Sequence, residues 1–392
     1  MPQRLTFYLL LETSRHFTRE IFRGVIRWSN LYGPATLIVS TGHVEQELPQ
    51  LKMIENIGVI ARLHAPGVIE AVKRLQIPLV TIEPSLEEFV KIKDEYQISE
   101  MVSNASAIAS MAMRHFTSRG FHHFAFCGLP QRIWSTNRQK AFVRNVEAIG
   151  AQCHVYPVGN GPVLSREEES PKFVAWLKSL PKPVAILACN DDRGAQLIQA
   201  CTIAGISVPD QIAILGIDND DLVCELTSPA LSSIAFDLKR VGFEAANLLW
   251  QLACRSVTGY HRIPVEPTHV ATRLSTDVMA QDDELVAGAI RYIRGTFQRP
   301  IGVADVAREM DVSRRTLERR FTTALGRSVR EQIELFRFEQ ARQLLLQTND
   351  SVETIAILSG FQHFKPMLRV FLRNEGVSPT AYRKNQGIKP NL

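Results

Sequence analysis

The chain is poor in the marks of chemical machinery. No CxxC pair occurs among its six cysteines (127, 153, 189, 201, 224 and 254), and none has a histidine partner at metal-ligand spacing. The pattern reads as free thiols in a reducing cytoplasm rather than a disulfide framework or a zinc site. No run of about 18 apolar residues is available to span a membrane. The opening MPQRLTFYLLLETSR is broken by Glu12 and Arg15 and offers no small-residue cleavage site. Neither a membrane partner nor a secretory signal is expected. GxSxG, P-loop, GxGxxG and HExxH motifs are missing, and VGNGPV at 158–163 lacks the third glycine of a dinucleotide loop. His122 and His123 stand side by side rather than next to a nucleophile. Low-complexity tracts are absent too. These gaps point away from an enzyme, with no catalytic residue, metal site or cofactor expected.

What is present is an uneven distribution of charge. The net charge of +5 lies wholly in the last part of the chain. Residues 1–281 hold 27 basic and 27 acidic side chains, whereas residues 282–392 hold 18 basic and 13 acidic ones. A basic module on a neutral body is what attraction to phosphates requires, although an Arg-rich solvated helical surface would look the same. With 392 residues, two or three domains are expected.

Residues 5 to about 272 alternate short apolar runs with longer amphipathic stretches. Candidate strands are Leu5–Leu11, Ala35–Ser40, Gly58–Ala61, Pro78–Ile82, His123–Cys127, Val184–Ala188 and Ile212–Gly216. Helical patterns such as Arg19–Asn30, Ala105–Arg119 and Arg193–Ala204 lie between them. The alternation predicts βαβ units in two doubly wound parallel-sheet subdomains, with any ligand at the carboxyl ends of the strands. The acidic run Glu167–Glu169 reads as a solvated helix start. From Leu274 to Glu284 the pattern dissolves into polar residues, and the remainder of the chain has no strand-like segment. The expected domains are therefore 1–274, a linker at 275–284, and an all-α domain at 285–392.

Within that last domain, IGVADVAREMDVSRRTLERRFTTALG has the form of a helix-turn-helix. Val303, Val306, Ala307 and Met310 share one face of the first helix. Ser313 is placed to cap the second, and Leu317, Phe321 and Ala324 face inward. Arg315, Glu318 and Arg319 then fall on the opposite face. The pattern returns in SVETIAILSGFQHFKPMLRVFLRNEGVSP. Ser351 is the cap, Ile355 and Ala356 face inward, Gly360 turns, and Met367, Val370 and Phe371 are inward in the second helix. Lys365 and Arg369 point outward. A long helix, Val329–Leu346, would hold the two motifs apart.

The paired motifs, Arg337…Ala341…Leu344-Leu345, the GF at 360–361 and GVSPTAYR at 376–383 resemble the AraC-type DNA-binding domain. That resemblance implies two recognition helices in successive major-groove segments of double-stranded DNA. It makes Arg315, Glu318 and Arg319 the base readers of the first motif, and Lys365 and Arg369, with Phe364, those of the second. Arg314 and Arg320 flank the face and suit phosphates. For each arginine a phosphate contact or a plain solvated charge stays open as the alternative. Pro366 departs from the family, which carries a larger side chain there.

Residues 5–273 resemble LacI-type sensors and periplasmic sugar-binding proteins through FTREIFRGV (17–25), GFHHFAFCG (120–128), LACNDD (187–192), ISVPDQIAILGIDNDD (206–221) and LTSPALSSI (226–234). A sugar presents hydroxyls that both donate and accept, around an apolar face. A site for it needs carboxylate, amide and guanidinium groups beside an aromatic wall. Carried over by position, Arg138, Asn190 and Asp218 supply that set. Asn104 falls where such sensors often carry Asp, and Phe17 and Trp134 are candidate walls. Caps, turns or core packing are the plain alternatives for Asp218, Asn190 and Trp134.

A LacI-like sensor ahead of an AraC-type domain resembles the regulators of xylose operons over essentially the whole length. FAFCGLP, WSTNRQKAF, GIDNDD, PALSSIAFDLKRVGFEAANLL and RLSTD carry that likeness. It implies D-xylose as effector, a homodimer, RNA polymerase as a partner and transcriptional activation. Another sugar, or repression, remains compatible with the residues. A sugar enzyme and a transport-type solute-binding protein are the rival readings. The missing catalytic motifs oppose the first, and the basic C-terminal module opposes the second.

Overall fold

A computed structural model of the chain describes residues 5–33, 35–39, 57–62, 74, 77–83, 95–158, 165–277, 283–348 and 350–385. The chain divides into two compact units, Met1–Val278 and Met279–Leu392.

The first unit is built on two six-stranded sheets. One, forming the N-lobe, contains β1 (Thr6–Leu10), β2 (Thr36–Val39), β3 (Ile57–Arg62), β4 (Leu79–Ile82), β5 (Ser99–Ser103) and β11 (Arg262–Val265). Its order is β11-β5-β4-β3-β1-β2 and every pairing is parallel. The other, forming the C-lobe, contains β6 (His123–Cys127), β7 (Cys153–Val155), β8 (Val184–Ala188), β9 (Ile212–Ile217), β10 (Ser232–Phe236) and β12 (Pro267–Ala271). Its order is β12-β10-β9-β8-β6-β7, with β12 alone antiparallel. Strands β8 and β9 are buried at every residue, which is why their sequences are continuous apolar runs instead of alternating ones.

Helices cover the sheets. In the N-lobe, α1 (His16–Tyr32) packs on a later helix, α7 (Leu238–Ala253). Their backbones touch at Gly24 and Gly242, where a Cβ would meet Lys239 O at 2.1 Å and Ile21 O at 2.0 Å. The C-lobe carries α2 (Ala105–Thr117), α3 (Ile133–Ala148), α4 (Arg166–Ser179), α5 (Asp191–Ala204) and the short α6 (Asp221–Glu225). The chain passes between the lobes three times: from β5 to α2 at Asn104, from β10 to α7 at Asp237, and from β11 to β12 at Glu266.

Five strands were not visible in the sequence: β5, β7, β10, β11 and β12. Their segments carry serine, glutamate, proline, histidine or arginine where a buried run would be apolar. Ser232 and Ser233 are nonetheless fully buried, and Glu100 in β5 receives the Tyr260 hydroxyl. The linker expected at 275–284 needs correction at its start. Ser275 and Thr276 are fully buried in a single 3₁₀ turn, where the Ser275 hydroxyl donates to Ile214 O at 2.6 Å. These two residues are polar because their hydroxyls are used inside the lobe: Ser275 bonds sheet backbone, and Thr276 bonds the Ser232 hydroxyl and the His115 ring. Ser40 and the 159–163 part of VGNGPV lie outside the described residues.

The acidic run at 167–169 also needs correction. Glu168 does close a capping box with Ser165 at the start of α4. Glu169, one residue on, is buried and receives a two-pronged bond from Arg193, at 2.7 Å to each oxygen. Arg193 is 1% exposed, its guanidinium carbon lies 4.6 Å from the Phe173 ring centre, and its Nε donates to Gly128 O.

The second unit holds α8 (Glu284–Thr296), α9 (Val303–Glu309), α10 (Arg314–Leu325), α11 (Val329–Gln347), α12 (Val352–Leu358), α13 (Phe364–Glu375) and α14 (Pro379–Asn385). Two apolar clusters form its core. One gathers Val306, Ala307, Leu317, Phe321 and Phe336. The other gathers Phe338, Ile355, Ala356, Met367, Val370 and Phe371. Helix α11 serves both, with Phe336 in one and Phe338 in the other. Among the described residues, no helix is long and apolar enough to cross a membrane, and no group of three or more His, Cys, Asp or Glu could hold a metal ion.

Candidate functional site

The two lobes of the first unit enclose a cleft of about 300 Å³. That is the small end of the range for ligand sites. Its lining follows from the parallel topology, because strand after strand delivers a residue at its carboxyl end. Glu12 and Arg15 follow β1, Arg62 ends β3, Glu83 follows β4, Ser103 ends β5, Asn190 and Asp192 follow β8, and Asp218 follows β9. Leu129, Pro130 and Arg132 come from the segment joining β6 to α3, Trp134 from the first turn of α3, and Phe17, Ile82, Met101 and Val265 complete the wall. Four arginines (15, 62, 132 and 138) thus face four carboxylates (12, 83, 192 and 218), so the lining is formally neutral.

Five of the six ligand residues expected from the sequence meet here: Phe17, Trp134, Arg138, Asn190 and Asp218. Arg138 is 5% exposed. Its Nη1 donates to Cys189 O at 2.6 Å, and its Nη2 lies 3.8 Å from the Asp218 carboxylate. Trp134 stacks on the guanidinium at 5.1 Å, while the buried Nε has no hydrogen-bond partner. A buried donor without a partner is a desolvation left uncompensated, and such a group beside a polar cleft calls for an explanation. Asp218 stands at φ +111°, a strained angle for a non-glycine residue. Burial pushes its carboxyl up to about 6, with Arg138 and Arg62 pulling it back. Burial likewise holds the Arg62 guanidinium below its usual range. Asn190 caps α5, its Oδ1 accepting from Arg193 N at 3.1 Å.

Asn104 is the exception. It does not line the cleft, because both ends of its amide are used at the crossing between lobes. Its Oδ1 accepts from Ala107 N as the cap of α2, and its Nδ2 donates to both Glu266 oxygens at 3.0 and 3.1 Å. Glu266 is itself the third crossing point, so this pair ties two of the three inter-lobe strands together. Ser103, one residue earlier, is the one that reaches the lining, with its hydroxyl and N–H both donated to Glu83.

The sequence reading missed Glu12, Arg15, Arg62, Glu83, Arg132 and Asp192. The rule that ligands gather at strand carboxyl ends would have found most of them. Arg15 also reaches across the lobes to pair with Asp192, and His16 N donates to Asp220 at 3.2 Å.

In the second unit, Ser313 caps α10 through a bond from Thr316 N at 3.1 Å, and Ser351 caps α12 through one from Thr354 N at 3.0 Å. Gly360 takes φ +84° at the second turn. Arg314, Arg315 and Arg319 on α10 are exposed, as are Lys365 and Arg369 on α13. Glu318 is half-buried and its carboxylate accepts from Val329 N at 3.4 Å, which turns it toward the start of α11. Phe364 is half-buried against the second apolar cluster. Arg320, expected at phosphate, is held by Asp283 through two bonds of 2.6 Å. Pro366 sits in the first turn of α13, where the missing N–H costs nothing.

Residues 113–276 match the family described as periplasmic binding protein-like domain, and residues 306–385 match the helix-turn-helix domain family. The chain is 28% identical over 385 residues to the xylose operon regulatory protein of Haemophilus influenzae, covering 96% of this chain and 97% of that one. It is 27% identical over 379 residues to the Escherichia coli (strain K12) protein of the same name, covering 96% of each. A solved structure titled xylose-binding transcription activator xylR aligns over 98% of this chain and 99% of its own, with a TM-score of 0.75 and 26% identity. The lac repressor dimer bound to operator aligns over 71% of this chain at 18% identity and a TM-score of 0.53, a likeness of fold alone. These full-length relatives are transcriptional regulators rather than enzymes. With its two matched domains and its end-to-end similarity to the xylose operon regulatory proteins, the chain is a DNA-binding transcriptional regulator that places a periplasmic-binding-protein-like sensor ahead of a helix-turn-helix domain.

Proposed function

We propose that this regulator is an activator of xylose-utilisation genes, that D-xylose is its effector, and that it works in the cytoplasm as a homodimer with RNA polymerase as a partner. The sensor takes in residues 1–276, including the buried Ser275 and Thr276, and residues 285–392 bind DNA. The observation that carries the effector class is the Arg138 guanidinium, buried in a formally neutral cleft with its Nε unpartnered and Asp218 beside it. A neutral lining of guanidinium and carboxylate groups suits a molecule whose hydroxyls accept from one and donate to the other. An effector with a large net charge would leave half of that lining opposed to it. The names of the full-length relatives point to D-xylose within that class.

Arg138, Asp218 and Asn190 make the polar contacts, Trp134 and Phe17 supply the apolar wall, and Asn104 acts at the crossing between lobes. On DNA, Arg315, Arg319, Lys365 and Arg369 reach base edges, and Arg314 reaches phosphate. Glu318 and Phe364 shape the recognition faces from their half-buried positions. Effector binding favours one arrangement of the lobes and so shifts how the DNA-binding units are presented to tandem half-sites. A ligand can move such an equilibrium only by its differential affinity for the two states. Calorimetric titration with D-xylose, arabinose, ribose and glucose tests the effector. A flat trace with D-xylose beside a clear response to another of the four would overturn the assignment and spare the architecture.

A further inference from the structure

Asp191 lies directly beneath the cleft but does not line it. It is 2% exposed, and its two carboxylate oxygens are engaged by the turn that carries Asp218 and by the neighbouring strand β10. Oδ2 accepts from Asp220 N at 2.7 Å, and Oδ1 accepts from the Ser233 hydroxyl at 2.5 Å. That same Ser233 oxygen accepts from Asn219 N at 2.9 Å, so Asn219 and Asp220 hang from one buried acid. Asp218 has a φ angle of +111°, which a non-glycine residue holds only when its surroundings enforce it, and Asn219 follows in the left-handed region at +49°. Room for the acid comes from Gly216, where a Cβ would fall 2.1 Å from Asp191 Oδ1. From Asp220 the chain of bonds runs on to the other lobe, where His16 N donates to Asp220 Oδ2.

We propose that Asp191 is a positioning residue for effector binding: it holds the 218–220 turn in its strained form, so that the Asp218 carboxylate faces Arg138 across the cleft and Asp220 meets the start of α1. Asp191 touches no ligand itself. The proposal rests on the reading that Asp218 contacts the effector. A side chain without acceptors at 191 would leave the Asp220 N–H and the Ser233 hydroxyl without their acceptor, and the turn would relax to relieve the strain at Asp218.

The test uses the full-length protein titrated calorimetrically with D-xylose, as wild type, Asp191→Ala, Asp218→Asn and the double variant, together with a crystal structure of Asp191→Ala. The expected loss of D-xylose affinity for Asp191→Ala is about tenfold, the scale of a donor left without its acceptor. In the Asp218→Asn background the same change is expected to add little, because its effect passes through Asp218. The crystal structure is expected to show residues 218 and 219 at negative φ. Additive losses, or a turn that keeps its φ angles in Asp191→Ala, would overturn the proposal, since a general loss of packing predicts the first and a self-supporting turn the second. If wild type itself gives no D-xylose heat, the effector assignment fails, and the crystal structure still decides the role of Asp191. Should Asp191→Ala not fold, Ser233→Ala removes the link to Asn219 alone, and the same cycle and structure are read from it.

Discussion

Arg138 Nη2 and the Asp218 carboxylate stand 3.8 Å apart, too far for a hydrogen bond and close enough for their charges to attract. The gap is the size that a shared hydroxyl closes, accepting from the guanidinium while donating to the acid. Arg138→Ala is therefore expected to weaken D-xylose binding by about ten- to a hundredfold, the worth of one or two bonds to a charged group. Affinity for DNA without effector should stay near wild type. Calorimetry and a DNA-binding titration on the same preparation check both.

Asp218 gives the sensor a pH dependence. Its carboxyl is raised from the ordinary 3.8 to about 6, first by burial. The folded protein thus binds this proton more tightly than the unfolded chain does. This group's contribution to stability falls as pH rises from about 4 to about 6, and above that it is a constant cost. Asp218→Asn is expected to raise the effector-free melting temperature at pH 7.5, with the gain vanishing below about pH 4. Effector binding runs the other way, because the ionised acid accepts from a hydroxyl more strongly than the neutral acid does. D-xylose affinity should drop about tenfold between pH 7.5 and pH 5 in wild type and much less in Asp218→Asn. Melting curves and titrations across that range measure the two opposed slopes.

Glu169 and Arg193 form a buried ion pair roofed by Phe173 and Tyr156. Removing the acid alone strands a guanidinium in the core. Glu169→Ala is expected to cost about 3–5 kcal/mol of stability, read from denaturant unfolding. Replacing the pair together by Glu169→Leu and Arg193→Met should cost less than Glu169→Ala alone. Were the single variant the milder of the two, the acid would not be the partner that makes burial of Arg193 tolerable.

How much of this was legible in the sequence depended on whether a signal was local. Ser313 and Ser351 announced their helices, because a cap and its apolar face lie within a few residues of one another. Strands β8 and β9 were legible as unbroken apolar runs. Strand β5 was not, since the partners of Glu100 and Ser99 are Tyr260 and His261, some 160 residues away. The same limit hid Glu169, whose partner Arg193 lies 24 residues on, and Arg320, whose partner Asp283 lies 37 residues back. A charged residue cannot be told from a solvated one until the chain brings its counter-charge. Asn104 is a different case. It does not line the cleft, and its amide Nδ2 is taken by Glu266, 162 residues away in sequence.

On the DNA-binding unit the exposed and the engaged arginines should separate. Arg319→Ala and Arg369→Ala are each expected to weaken specific binding by about 1–3 kcal/mol and to relax preference at one base pair. Arg320→Ala should leave sequence preference intact and lower the melting temperature slightly, because its guanidinium is held by Asp283 at the start of α8. Selection of bound duplexes from a random pool, repeated with each variant, distinguishes these outcomes.

The central claim is that the cleft and the DNA-binding unit share one equilibrium. The most direct test is the affinity of the full-length protein for a duplex chosen from such a pool, measured with and without saturating D-xylose. D-xylose is predicted to tighten DNA binding by about 5- to 150-fold, and the same duplex to tighten D-xylose binding by the same factor. Bound D-xylose that left DNA affinity unchanged would contradict the claim.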